Sequence, residues 1–351
     1  MIGMAKKNDN KIYFMFVDSS LYGVNSSHFS FFIQCPARYS DIAEKKMRRK
    51  FSKDAVQHIY QRSMHGFNLF YSTEDFLVFY TIVSIQARRY GITLLGMCLM
   101  IEHIHLLLSA DSLCQMSGFI SAYTSIYAKE FNARTGRKGK LFKSAYGNAV
   151  KSEMKKIRSA IAYLFNNPVE KMLCSRAEEY RWNFLKYYRY GVSIKTEKCS
   201  RKLKRAMKAA EFSFRSGKHM KFQMLENILK GLDEAEREMF TDYIIRLYLP
   251  FDCKRTVGHY RSYEDMITAV NSNTGSEYEI SERHYCRSDV PYREILRYLK
   301  MNGIHDAGAM ISLPDEEKQL YMKSLKENTS ASYTQIRKFL HIRPEKLKAP
   351  K

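Results

Sequence analysis

His103 and His105 stand one residue apart inside Gly96-Met-Cys-Leu-Met-Ile-Glu-His-Ile-His-Leu-Leu-Leu-Ser-Ala110. A run this rich in Leu and Ile reads as buried strand. Side chains two apart on a strand share a face at roughly 6.7 Å, so the two imidazoles can converge on one cation. The other reading of a bare His-x-His pair is two packed, hydrogen-bonded histidines. Tyr163 and Asn167 form a second pair, four residues apart. They lie where Ser152 to about Asn166 reads as a helix, with Ser152 as N-cap and Pro168 as its stop. That spacing puts the tyrosine hydroxyl and the amide oxygen on one face. A core tyrosine beside a helix-stopping Asn-Pro is the alternative.

The elements that must position these side chains alternate in a regular order. His28 to Cys35 is aromatic and apolar and stops at Pro36, which reads as a first strand. Residues 42–62 have a helical pattern and carry Lys45, Lys46, Arg48, Arg49, Lys50 and Lys53. This is either a solvated surface helix or one that tracks phosphates. Thr73 to Arg89 reads as an amphipathic helix with Thr73 or Asp75 as N-cap. Gly91 to Ile101 and His103 to Ser109 follow as strands with a tight break at Glu102. Leu113 to Phe131 reads as a second helix, Arg134 to Lys140 as a basic, glycine-bearing loop, and Leu141 to Val150 as another strand. Strand, helix, strand, strand, helix, strand is the split βαβ plan of an α+β, ferredoxin-like antiparallel sheet with flanking helices. One face of such a sheet is expected to stay open for a ligand.

Charge indicates the partner class. Lys and Arg number 58 against 36 Asp and Glu, a net charge of +22. Residues 1–192 hold 28 basic and 14 acidic side chains, 195–221 hold 10 and 2, and 222–351 hold 20 of each. An excess concentrated in the front of the chain attracts polyphosphate. No strongly apolar helix face accompanies the basic runs, so nucleic acid is expected rather than a membrane surface. The polar start and the short apolar patch at Ile12–Val17 predict no leader and no membrane span, hence a cytoplasmic protein. Seven scattered cysteines without a Cys-x-x-Cys are read as reduced thiols.

Leu99-Met-Ile-Glu-His-Ile-His-Leu-Leu-Leu108, Gly139-Lys-Leu-Phe-Lys-Ser144, and Ala162-Tyr-Leu-Phe-Asn-Asn-Pro-Val169 followed by Tyr180-Arg-Trp182 occur in order. With these motifs, residues 28–191 resemble the single-tyrosine HUH transposases, especially the REP-associated tyrosine transposases of bacteria. Glu102 stands where that family usually has Asn, and Asn183 and Phe184 where it commonly has small serines. The resemblance implies that His103, His105 and Asn167 hold a divalent cation, Mg²⁺ or Mn²⁺, with Glu102 in its neighbourhood. It implies that Tyr163 is the nucleophile that cleaves and rejoins single-stranded or hairpin-flanking DNA through a 5′-phosphotyrosine bond, and that a homodimer can form. Backbone contacts are expected from the helix at 42–62 and from Arg134, Arg137, Lys138, Lys140 and Lys143, with Arg181 in the aromatic-basic stretch that ends at Tyr190. Aromatics there serve either to stack on bases or to fill a core.

The expected organisation is an arm at 1–26, the HUH nuclease domain at 27–192, a basic linker or helix at 193–221 and a mainly α-helical C-terminal domain at 222–351. Phe222 to Leu249 reads as one helix ended by Pro250. Asp315–Glu327 and Ser332–Leu340 read as two helices around a short turn, a helix-turn-helix form over 315–341. Thr334, Gln335 and Arg337 would then reach base edges of duplex DNA. The rival to a nuclease is a catalytically silent, sequence-specific DNA-binding regulator built on the same fold.

Overall fold

The computed structural model describes residues 50–143, 145–189, 199–272 and 288–344. The arm at 1–26, the strand expected at 28–35 and the basic residues 45–49 lie outside these.

Residues 56–62 correct the helix expected over 42–62. Val56–Arg62 is a strand, β1. Its apolar residues Val56, Ile59 and Tyr60 fall at helical spacing, but they are β-branched or aromatic, and pairing with β3 and β4 makes the segment a strand. It becomes a central strand, buried along most of its length. α1 (Thr73–Arg89), β2 (Thr93–Leu99), β3 (His103–Ser109), α2 (Leu113–Thr135), β4 (Gly147–Lys151) and α3 (Met154–Glu170) follow. From Thr73 onward the alternation read from the sequence holds, and the strand that leads it is β1, in a stretch read as helix.

The sheet order is β2-β3-β1-β4, antiparallel at every pairing. This is the ferredoxin-like plan. Tyr60 lies opposite His105 and Arg62 opposite His103, so His58, Tyr60, His103 and His105 share one face. That face is covered rather than open. α3 crosses β2, β3 and β4, and Gly96, on the same face opposite Leu107, permits the approach. A Cβ at Gly96 would come within 3.3 Å of Leu164 and Phe165.

Local chemistry sets the helix ends. α1 begins at a Ser72–Asp75 capping box, in which the Asp75 carboxylate accepts from the backbone N–H groups of Tyr71 at 2.7 Å and Ser72 at 2.9 Å. α2 runs on to Thr135 and ends where Gly136 takes a left-handed conformation (φ 64°). α3 starts at Met154 with Glu153, not Ser152, at the N-cap. It also carries Pro168 inside its last turn instead of stopping before it. The next backbone bond survives there, with Lys171 N–H donating to the Asn167 carbonyl at 3.1 Å.

The remainder is helical: α4 (Arg201–Arg215), α5 (Phe222–Lys230), α6 (Glu234–Leu247), α7 (Cys253–Val257), α8 (Tyr263–Asn271), α9 (Val290–Met301), α10 (Asp315–Asn328) and α11 (Tyr333–Phe339). The single helix expected over 222–249 is broken by Gly231, after which Asp233 and Glu236 form a new capping box. The basic segment 193–221 is helical through α4, which buries Leu203, Met207 and Ala210. These helices share a continuous core with the sheet. Asp252 N–H donates to the Leu94 carbonyl at 2.8 Å, the Tyr80 hydroxyl to the Ile245 carbonyl at 2.6 Å, and Thr256 to the Leu95 carbonyl at 2.8 Å. The aromatics at 180–188 belong to that core. Tyr180, Phe184, Tyr187 and Tyr188 are buried, and Trp182 stacks on Phe76 at 4.3 Å. They form no platform for bases. Cys98, Cys174, Cys199 and Cys253 are free thiols.

Candidate active site

β3 presents His103 and His105 together, with ring centroids 5.0 Å apart and planes nearly perpendicular. α3 brings Tyr163 over them, its ring 5.5 Å from that of His105. One turn further along, the Asn167 amide nitrogen lies 3.4 Å from His105 Nε2. The four residues singled out in the sequence thus meet, and Tyr163 sits on the histidines of its own chain. The site is closed to solvent: Tyr163 is 3% exposed, Asn167 1% and His105 0%.

A fifth residue joins them unanticipated. His58 on β1 places Nε2 3.2 Å from His105 Nδ1, and its ring is 5.7 Å from Tyr163. Reading 42–62 as a helix hid it. Only the β-branched and aromatic character of Val56, Ile59 and Tyr60 pointed to a strand there, one that aims every second side chain at the histidine face.

Two imidazoles suit borderline metals, whereas Mg²⁺ and Mn²⁺ ask for oxygen. Among the described residues no three His, Cys, Asp or Glu side chains are arranged to hold a metal ion. His58 does not change this, since its Nε2 is turned to His105 rather than to a shared centre. The donor set fits a cation only with Asn167 supplying an amide oxygen and with phosphate and water oxygens completing the shell. Glu102 does not join that set. Its carboxylate accepts a 2.5 Å hydrogen bond from Lys338 of α11.

The expected DNA contacts divide. Lys138, Lys140 and Lys143 are exposed on the segment leading into β4, and Thr334 is exposed on α11. Arg134 is 12% exposed and bonds to Asp75, Glu226 and Asp306. Arg137 donates to Asn132 and to the carbonyls of Gly139 and Lys140. Arg181 is paired with Glu238 and Asp242. Gln335 closes the capping box of α11 and donates to the Ser288 carbonyl, while Arg337 donates to the carbonyls of Ile342 and His65. The helical hairpin over 315–341 is present, but α11 is packed inward against the sheet domain. Gln335 and Arg337 hold the chain to itself instead of facing a groove.

Residues 46–167, which hold all five site residues, match the family described as transposase IS200 like. This segment resembles the IS200-like transposases. A transposase-like, DNA-processing role for it follows from that match. A solved structure of a REP-associated tyrosine transposase bound to a REP hairpin is also similar, with 13% identity, a TM-score of 0.33, and coverage of 39% of this chain and 81% of that one. No curated protein matches the chain. The IS200-like segment ends at Asn167, so the helices from α4 onward lie beyond it. No helix among the described residues is long and apolar enough to cross a membrane.

Proposed function

We propose that this chain cuts and rejoins single-stranded or hairpin-flanking DNA through Tyr163. The observation that carries this reading is the meeting of Tyr163, His103, His105 and Asn167 on one buried sheet face. The Tyr163 oxygen attacks the scissile phosphorus and loses its proton. A phosphotyrosine bond forms as the bond to the 3′ oxygen breaks, and that oxygen leaves as a hydroxyl once protonated. Because the new bond is still a phosphodiester, the 3′-hydroxyl of another strand reverses the step without a separate energy source. Phenols ionise near pH 10 and attack poorly when protonated. A divalent cation held by His103, His105 and the Asn167 amide oxygen, Mg²⁺ or Mn²⁺, would supply charge neutralisation at the phosphate. His103 and His105 orient the site from β3, and the exposed Lys138, Lys140 and Lys143 would meet the DNA backbone.

Burial of the tyrosine favours a second reading. A tyrosine that is 3% exposed reaches a phosphate only once its surroundings open. A regulator that binds DNA without cutting it needs no such movement. The two separate in one experiment. The purified protein is incubated with end-labelled single-stranded and hairpin oligonucleotides, with Mg²⁺, Mn²⁺ or EDTA, and run on a denaturing protein gel beside Tyr163→Phe. A cation-dependent covalent adduct, absent from the variant, is expected. Tight binding with no adduct under any cation would leave the regulator as the better account.

A further inference from the structure

His58 is placed to fix which nitrogen of His105 carries the proton. The two residues sit on neighbouring antiparallel strands, diagonal to each other because Tyr60 is the direct partner of His105 and Leu107 that of His58. Diagonal neighbours are within reach of long or aromatic side chains, and here the rings lie 5.3 Å apart with their nitrogens 3.2 Å apart. Both residues are fully buried.

His105 is bounded on both sides. Its Nδ1 meets His58 Nε2, and its Nε2 meets the amide nitrogen of Asn167. A neutral imidazole has one N–H and one lone pair. A cation at the site would take the Nε2 lone pair, with the Asn167 amide turned so that its oxygen also reaches the cation. The proton of His105 then belongs on Nδ1, 3.2 Å from His58 Nε2, which accepts it.

We infer that His58 is a positioning residue that accepts the Nδ1 proton of His105 and so keeps the His105 Nε2 lone pair aimed at the site. A ligating histidine needs that lone pair, and a partner at its other nitrogen holds both tautomer and ring orientation. The inference rests on the cation site proposed above.

The test uses the full chain and two variants. His58→Leu removes the acceptor, and His58→Gln restores one near the position of Nε2. Nitrogen-15 NMR of the metal-free protein reads the His105 tautomer, Mn²⁺ titration reads affinity, and circular dichroism checks that each variant is folded. The expected result is Nδ1–H on His105 in the wild type, loss of that preference in His58→Leu with Mn²⁺ bound about 10–100-fold more weakly, and recovery of both in His58→Gln. Nε2–H on His105 in the wild type would overturn the inference. So would a folded His58→Leu with the tautomer and affinity unchanged. A wild type that shows the Nδ1–H form yet binds no Mn²⁺ would count against the proposed cation site while upholding the role of His58.

Discussion

At the scale of single residues, the structure separates basic side chains that face solvent from those that hold the chain together. Arg134 belongs to the second group. Asp75 is fully buried at the start of α1, and desolvation pushes its carboxyl up to about 6 even though the Arg134 guanidinium pulls the other way. Removing the guanidinium leaves a buried carboxylate with its ion pair broken. Arg134→Ala is therefore expected to cost about 3–5 kcal/mol at pH 7, measured by urea unfolding. The loss should shrink below about pH 6, where Asp75 takes up a proton. A variant whose stability matched the wild type but whose DNA affinity fell would return Arg134 to the phosphate contacts. Asn167 is a residue-scale test of the site itself. Asn167→Leu keeps volume but removes the amide, so adduct formation should require at least about tenfold more Mn²⁺ than in the wild type.

At the scale of elements, everything depends on how α3 sits on the sheet. Tyr163 and Asn167 reach the histidines because Gly96 lets the helix close on β2, with Leu164 and Phe165 against it. A larger side chain there would push the helix outward from the face that holds the site. Gly96→Val is expected to cost about 1–3 kcal/mol through overpacking and to reduce the Tyr163 adduct in step, read by thermal unfolding and by the gel assay. Stability lost with adduct yield intact would mean that the seating of α3 against β2 does not set the reaction geometry.

At the scale of the whole molecule, the C-terminal hairpin is a structural member of the sheet domain. Lys338 bonds to Glu102 in the turn before β3, the Tyr71 hydroxyl donates to the Phe339 carbonyl at 2.5 Å, and His341 stacks on Phe67 at 4.5 Å and on Phe131 at 5.8 Å. Burial lowers the His341 imidazole to about 3, against the opposing hydrogen bond to the Asn68 carbonyl. The unfolded chain would bind a proton there near pH 6.5, so this group favours the folded state above pH 6.5 and loses that contribution as pH falls toward 3. The full span is on the order of 5 kcal/mol. Asp75 and Asp289, both pushed up to about 6 chiefly by burial, act in the opposite sense, favouring the fold on acidification through that range. The decisive quantity is thus the difference between variants. His341→Phe, which keeps the stack, should lose less stability than the wild type between pH 6.5 and 4 in chemical unfolding. Parallel pH profiles would show that the histidine is not buried as a neutral ring.

Patterns with a short period were legible in the sequence. His-x-His on an apolar run shares a strand face, and Tyr163 and Asn167 four apart share a helix face, so each pair and the alternation from Thr73 onward followed from residue spacing, while joining the pairs into one site followed only from the family resemblance. Three things did not. β1 was masked by the basic residues just before it, and His58 was lost with it. The state of Arg134, Arg181, Gln335 and Arg337 depended on acids and carbonyls that arrive from 40 or more positions away in the chain. The covering of the histidine face by α3 depended on the absence of one side chain at Gly96. Local sequence fixes which face of its own element a side chain takes. Which other element meets that face, and hence whether a cation or a phenol is spent inside the fold or left for a ligand, is set by long-range packing that only the tertiary structure contains.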